Sequence, residues 1–275
     1  MPAPFVLISS WLPNTMNHFP HRDRRRFLSQ TVAGSMAIGA GALVGSPRVH
    51  GQETGEGSTA SRAVRLGIIG VNNRGRANLR GVAQQSSVPV EIAAICDVDS
   101  KYLTDCAMQF PDATTFRDYR KMIDQQKNLD AVVISTPDHH HAPAAMLAIQ
   151  QGLHVYCEKP LTHTVAEARA LTIAAAKRKT ITQMGTQIHA TENYRRVVEK
   201  IRAGAVGNVG EVHVWVGKGW GATELPNPSG TAPPHVDWDL WLGPAKQREY
   251  TPGMHPANWR RYRDFGTGTL GDMGC

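Results

Sequence analysis

The chain has 275 residues, 41% of them hydrophobic and 19% charged, an ordinary globular composition long enough for one full domain and part of another, which excludes disorder as the default. Of its 30 Lys and Arg and 23 Asp and Glu, Arg22, Arg24, Arg25, Arg26 and Arg48 against a single Asp23 fall within residues 1–51, so most of the formal +7 belongs to the N-terminus. About +3 is left beyond it, with no Lys/Arg run and no RNP-like motif, which excludes nucleic acid as a partner.

The first 51 residues read as a twin-arginine export signal. Arg24 and Arg25 form the pair, Phe27 and Leu28 fill the hydrophobic positions after it, and the weakly apolar run from Thr31 to Gly45 is too short for a stable membrane span. The expected destination is the periplasm, reached through the twin-arginine export machinery. Residues 52–62 are polar and rich in Gly and Ser, a linker to the folded part. Cys96, Cys106, Cys157 and Cys275 show neither a C-x-x-C pair nor zinc-ligand spacing. They read as small core hydrophobes, which suits a protein that folds before export.

From Arg65 the pattern alternates strand and helix. The run Arg65–Gly70 ends in a turn, Val71–Ala77, that leads into a helix. In a dinucleotide fingerprint the first glycine makes the turn, the second admits the pyrophosphate and the third lets helix and strand pack closely. Those slots hold Gly70, Asn72 and Gly75, with Asn73 and Arg74 also in the turn. Asparagine at the middle slot is a departure, accommodated by its tolerance of left-handed backbone. The second strand, Val90–Cys96, ends at Asp97, 22 residues beyond Gly75, where a carboxylate accepts ribose hydroxyls and repels a 2′-phosphate. NAD is therefore expected over NADP, although Arg74 or Lys101 could accommodate the phosphate. Asp97 could instead cap a helix, a role that Asp99 or Ser100 fills equally well.

The strand Leu129–Ser135 follows, then Thr136–Pro137 and a helix from about Ala142 to Gln151. The strand Leu153–Cys157 carries Glu158–Lys159–Pro160 at its tip and precedes a helix from Val165 to Lys179. A lysine at the carboxyl end of such a strand faces the ligand crevice of an open sheet, where its ammonium can hydrogen-bond a substrate hydroxyl. His139, His140 and His141 are adjacent, and three neighbouring residues on regular backbone cannot all aim at one ion, so no metal is expected. A last strand of this domain spans Thr180–Gly185.

The motifs Gly70-x-Asn72-x-x-Gly75, Cys96–Asp97–Val98–Asp99, Ser135–Thr136–Pro137–Asp138–His139–His140 and Glu158–Lys159–Pro160–Leu161 together resemble the glucose-fructose oxidoreductase / inositol dehydrogenase / MocA (Gfo/Idh/MocA) family, and the likeness runs from about Arg65 to the last residue. The resemblance implies an α/β protein: a Rossmann domain over 63–186, a doubly wound parallel sheet, followed at 187–275 by the start of an α/β capping domain with a mainly antiparallel sheet that often forms a homo-oligomer interface. It implies NAD or NADP as cofactor and a sugar or polyol as substrate. Carried over position by position, Lys159 is the active-site lysine, Glu158 a neighbour of the nicotinamide and Pro160 the turn that aims the lysine. Thr136, Pro137 and His140 line the adenine and nicotinamide-ribose side, and Gln187 contacts cofactor or substrate.

Beyond this, Tyr194–Ala203 reads as a basic amphipathic helix and Glu211–Gly217 as the first strand of the second sheet. Trp238, Trp241 and Trp259 could line a sugar cleft or pack in a core. The ending Gly266–Cys275 resembles the family's catalytic helix entry, with Asp272 as its aspartate; the family's proton-accepting histidine would fall at position 276, so the chain reads as a fragment with an incomplete catalytic site. Three function classes are carried forward: NAD-dependent oxidation of a sugar or polyol, a redox-neutral NAD-dependent enzyme that cleaves or epimerises glycosides, and a non-catalytic dinucleotide binder.

Overall fold

Apolar runs bounded by turn residues suit strands buried on both faces, as parallel sheets require. The computed structural model describes residues 62–275 apart from 85–86, 190, 223, 225 and 229. Six strands pair in parallel there: β1 (Val64–Ile69), β2 (Val90–Cys96), β3 (Thr114–Phe116), β4 (Ala131–Ile134), β5 (His154–Glu158) and β6 (Thr182–Gly185). Their order is β3-β2-β1-β4-β5-β6. The order in which strands are added across the sheet reverses between β1 and β4, which opens a crevice at the carboxyl ends of these strands. The expected signal at 1–51, and the linker at 52–62 apart from Arg62, lie outside the described residues.

Helices cover both faces. On one side α1 (Arg74–Gln84) and α2 (Ser100–Ala107) pack Leu79, Leu103 and Cys106 against Leu66, Ile68 and Ile95. On the other, α3 (Tyr119–Gln125), α4 (Asp138–Gln150) and α5 (Val165–Arg178) bring Met122, Ile149 and Leu171 onto Ile69, Val132 and Cys157. Cys96, Cys106 and Cys157 are buried within these layers. A capping box, in which Thr164 and Glu167 exchange side-chain-to-backbone bonds, starts α5. Helix α4 begins at Asp138, four residues before the expected start, and carries Pro143 inside it.

After β6 comes α6 (Glu192–Arg202), amphipathic in sequence yet with none of its side chains buried. The segment 211–217, expected as a strand, forms no ladder among the described residues, and Val214 and Trp215 are 87% and 85% exposed. A strand needs a neighbour to take its N–H and C=O groups, and no described segment supplies one.

The following residues return to the sheet's carboxyl edge as α7 (Trp238–Leu242), a 3-10 turn at Asn258–Arg261 and α8 (Gly268–Met273). Trp241, Leu242, Met254, Trp259 and Phe265 form a third small core. It is fastened to the Rossmann layers by polar anchors. Asp99 caps α2 through the Lys101 amide at 2.9 Å, and the same buried carboxylate accepts from His235 Nδ1 at 2.9 Å and His255 Nε2 at 3.0 Å. Asp138 accepts from the backbone N–H and hydroxyl of Thr267 at 3.0 and 2.8 Å.

Candidate active site

Gly70 ends β1 at φ +85°, and a Cβ there would come within 2.7 Å of the Ser135 carbonyl oxygen. A Cβ on Gly75 would overlap the Gly70 carbonyl oxygen. Two missing side chains thus let the β1 turn, the tip of β4 and the start of α1 close on one another. Asn72 does not adopt left-handed backbone as expected; its neighbour Asn73 does, at φ +45°.

Around this turn lies a cleft of about 460 Å³. Gly70, Asn72, Asn73, Arg74, Asp97, Thr136, Pro137 and His140, all expected cofactor contacts, line it. Asp97 stands at the tip of β2, where the Val71 and Asp99 amides donate to its two carboxylate oxygens at 2.9 and 3.0 Å. Burial raises its carboxyl above the usual range, and these two amide bonds work against that rise. Each oxygen keeps a second lone pair for a ligand hydroxyl.

The opposite wall draws Tyr102, Arg117 and Tyr119 from α2, from the loop after β3 and from α3, and Trp241, His255 and Arg260 from the C-terminal segment. Of these only Trp241 was singled out in the sequence. Thr136 Oγ1, His140 Nδ1 and Trp241 Nε1 are buried with no protein partner, and all three residues line the cleft. A glycine cradle, a strand-tip carboxylate and unmatched polar atoms along one cleft fit the pyrophosphate, ribose and base of a dinucleotide. Trp241 and Trp259 serve as core and cleft wall together, and Trp238 stacks on Trp241 with ring centres 4.6 Å apart.

Beside the cleft, β5 delivers Lys159 to α8. Lys159 Nζ donates to Asp272 Oδ1 at 2.7 Å and to the Asp272 carbonyl, while Trp220 Nε1 donates to Oδ2 at 2.8 Å. Burial pushes the Asp272 carboxyl upward, but the bond and charge of Lys159, the Trp220 bond and the charge of Arg260 together hold the group below the usual carboxylate range. Two residues singled out from distant motifs thus meet as an ion pair.

Glu158 is buried and accepts from Asn78 Nδ2 at 2.9 Å and Arg74 Nε at 3.1 Å, and Asn78 also donates to Ser135 Oγ at 3.0 Å. Glu158 therefore braces the glycine turn from beneath. Gln187 lies in the exposed turn after β6, outside the cleft lining.

The three histidines diverge. His139 Nε2 and His140 Nε2 both approach the Trp241 carbonyl, at 3.0 and 2.9 Å. Burial pushes them down to about 3 and about 4, against the pull of the backbone carbonyls they face. His141 instead faces the Pro160 and Thr136 carbonyls with its two ring nitrogens, at 2.7 and 2.9 Å. Burial opposes its charge, yet Cys157, Asp138 and the Pro160 carbonyl raise it to about 9. A folded value above the unfolded value of about 6.5 gives stability that is full below that pH and lost as pH rises through about 9. Urea midpoints taken from pH 6 to 10 should fall across that window, and His141→Gln should flatten the decline.

Residues 64–186 match the family model described as "Oxidoreductase family, NAD-binding Rossmann fold", and residues 200–275 match its companion, "Oxidoreductase family, C-terminal alpha/beta domain". Together they account for well over half of the chain. The chain belongs to the Gfo/Idh/MocA oxidoreductase family. Among curated relatives, this Gfo/Idh/MocA chain is 28% identical over 165 residues to inositol 2-dehydrogenase of Salmonella paratyphi B, covering 59% of the chain and 48% of that protein. It is 30% identical over 209 residues to glycosyl hydrolase family 109 protein 1 of Shewanella sp. strain ANA-3, covering 68% of the chain and 44% of that protein. The chain thus spans just under half the length of these relatives. A solved structure, myo-inositol 2-dehydrogenase from Lactobacillus plantarum, superposes with a TM-score of 0.50 at 28% identity, over 54% of this chain and 43% of that one. The cleft accordingly sits in an NAD-binding Rossmann domain.

Proposed function

We propose that the protein is an NAD-dependent oxidoreductase that moves a hydride between the nicotinamide and a hydroxyl-bearing carbon of a sugar or polyol. The observation that carries this reading is the Lys159–Asp272 pair at the carboxyl end of β5, next to a cleft that fits a dinucleotide. Bound NAD would supply the hydride acceptor. Two of the three Lys159 N–H bonds go to Asp272, and the third can hold the substrate hydroxyl at the reacting carbon. Asp272, kept anionic and weakly basic, positions the lysine instead of taking the proton, which passes from the hydroxyl to water as the hydride leaves. Lys159→Met is expected to lower kcat for polyol oxidation by on the order of 100- to 10,000-fold while NAD affinity is kept. Equal loss of both would move Lys159 from chemistry to cofactor binding.

A second reading rests on the glycosyl hydrolase family 109 relative. In this reading the hydride returns to the sugar after a neighbouring bond has been cleaved or a neighbouring carbon epimerised. Absorbance at 340 nm separates the two, because a dehydrogenase accumulates NADH with its substrate and the redox-neutral cycle does not.

Export by the twin-arginine route to the periplasm is part of the proposal, supported by Arg24–Arg25–Arg26–Phe27–Leu28 and the short apolar run after it. Replacing Arg24 and Arg25 by Lys should hold the protein in the cytoplasm, and unchanged fractionation would refute the signal. Homo-oligomerisation is proposed from the family resemblance, and sedimentation of the protein tests it.

A further inference from the structure

We infer that the substrate is an anionic sugar, one bearing a carboxylate or a phosphate, and that Lys218, Arg260 and Arg261 bind its charged group beside Lys159. This rests on the proposed oxidoreductase reading and adds a substrate class to it. The observation is an imbalance of charge. Lys159, Lys218 and Arg260 all converge on the one carboxylate of Asp272, but only Lys159 reaches it as a hydrogen bond. Lys218 Nζ and Arg260 Nε stand 3.8 Å from its oxygens, beyond bonding distance. Lys159 and Trp220 Nε1 make one bond to each of its two oxygens.

Among the described residues no other carboxylate lies within 4.0 Å of Lys218 or Arg260, and none lies that close to Arg261. The arginines are held by stacking. The Arg260 guanidinium centre lies 4.3 Å from the Trp259 ring centre, and that of Arg261 lies 5.2 Å from the ring centre of Trp220. Stacking fixes a guanidinium by its face and leaves its donor edge for a planar or tetrahedral oxyanion.

The cofactor's pyrophosphate does not account for this charge. Its expected place is the glycine turn at the start of α1, and of the three cations only Arg260 lines the dinucleotide cleft. Lys218 and Arg261 stand outside the cleft lining, on the side of Trp220 and Asp272. Lys159, Lys218, Arg260 and Arg261 around the single carboxylate of Asp272 leave a net positive field that a neutral polyol would not use and an anion would.

The test is calorimetric titration of the full chain, first with NAD and then, saturated with NAD, with glucose, glucuronate and glucose 6-phosphate. One or both anionic sugars should bind at least about tenfold more tightly than glucose, with the preference weakening as salt rises. The arms tell carboxylate from phosphate. In Lys218→Gln/Arg261→Gln the preference should fall to about threefold or less, with NAD affinity as the internal control. Glucose binding as well as both anionic sugars, no sugar binding at all, or a double variant that keeps the full preference would each overturn the inference. Failure of NAD itself to bind would instead strike the oxidoreductase reading, and it is seen in the first titration.

Discussion

Gly75→Ala should destabilise the protein by about 3 kcal/mol and weaken NAD binding by on the order of 100-fold. The added Cβ would meet the Gly70 carbonyl oxygen, a backbone atom that cannot swing aside as a flexible side chain would. Relief requires moving α1 away from the β1 turn. That shift also disturbs Asn78, which ties α1 to Ser135 and Glu158. Stability and cofactor affinity therefore fall together, because one close approach serves both. Gly81→Ala is the control, since a Cβ on this glycine of the same helix meets nothing within 4 Å. It should be neutral or slightly stabilising through helix propensity. Urea melts and NAD titrations of the two variants make the comparison, and similar behaviour of both would refute the close-packing account.

Asp99→Ala should cost about 3 kcal/mol, since it removes a carboxylate only 1% exposed that serves two histidine rings and a helix N-terminus at once. Burial drives the Asp99 carboxyl up, but the His255 and His235 bonds and the Lys101 amide hold it below its ordinary value. A depressed folded value means that the contribution is present above the unfolded value of about 3.9 and is lost as pH falls through the folded one. The variant should therefore be most damaged near neutrality, and its difference from the parent should shrink in acid below pH 4. A gap that stays constant from pH 7 to pH 3 would show that packing, not the charged anchor, sets the effect.

How much of this was legible in the sequence depended on the range of each interaction. Strands β1, β2, β4 and β5 announce themselves through apolar stretches such as Leu66–Ile69 and Ile92–Cys96, where both faces are covered, whereas β6, with Thr182 and Gln183 exposed, was read as the last strand of the alternation. Strand β3, with three residues, is too short for any periodicity, and α3 beside it went unread, whereas the start of α2 was read from its cap, a role the structure gives to Asp99. Helix α4 was placed late because Asp138 and three histidines make a polar first turn in front of Pro143; Asp138, His139 and His140 contact residues 241–267, and His141 the carbonyls of Thr136 and Pro160, contacts that no local pattern encodes. Residues Glu211–Gly217 have the composition of a strand, but composition supplies no partner. Lys159 and Asp272 were legible through motifs, and their pairing required the fold. The opposite wall of the cleft, from Tyr102 to Arg260, left no spacing signal, because its members come from four separate stretches of chain.

The grip of Asp99 on His235 and His255, and of Asp138 on Thr267, bears on where this molecule can be divided. Residues 63–186 look like a separable module in sequence, yet the partners of these two carboxylates lie between 235 and 267, and His139, 3% exposed, is covered by Trp241 and Phe265. A cut after residue 186 would strip two anchors and lay bare a face built for contact. The boundary between the two family models is therefore a boundary of ancestry and not of cooperativity: residues 235–273 and the sheet should melt in one transition.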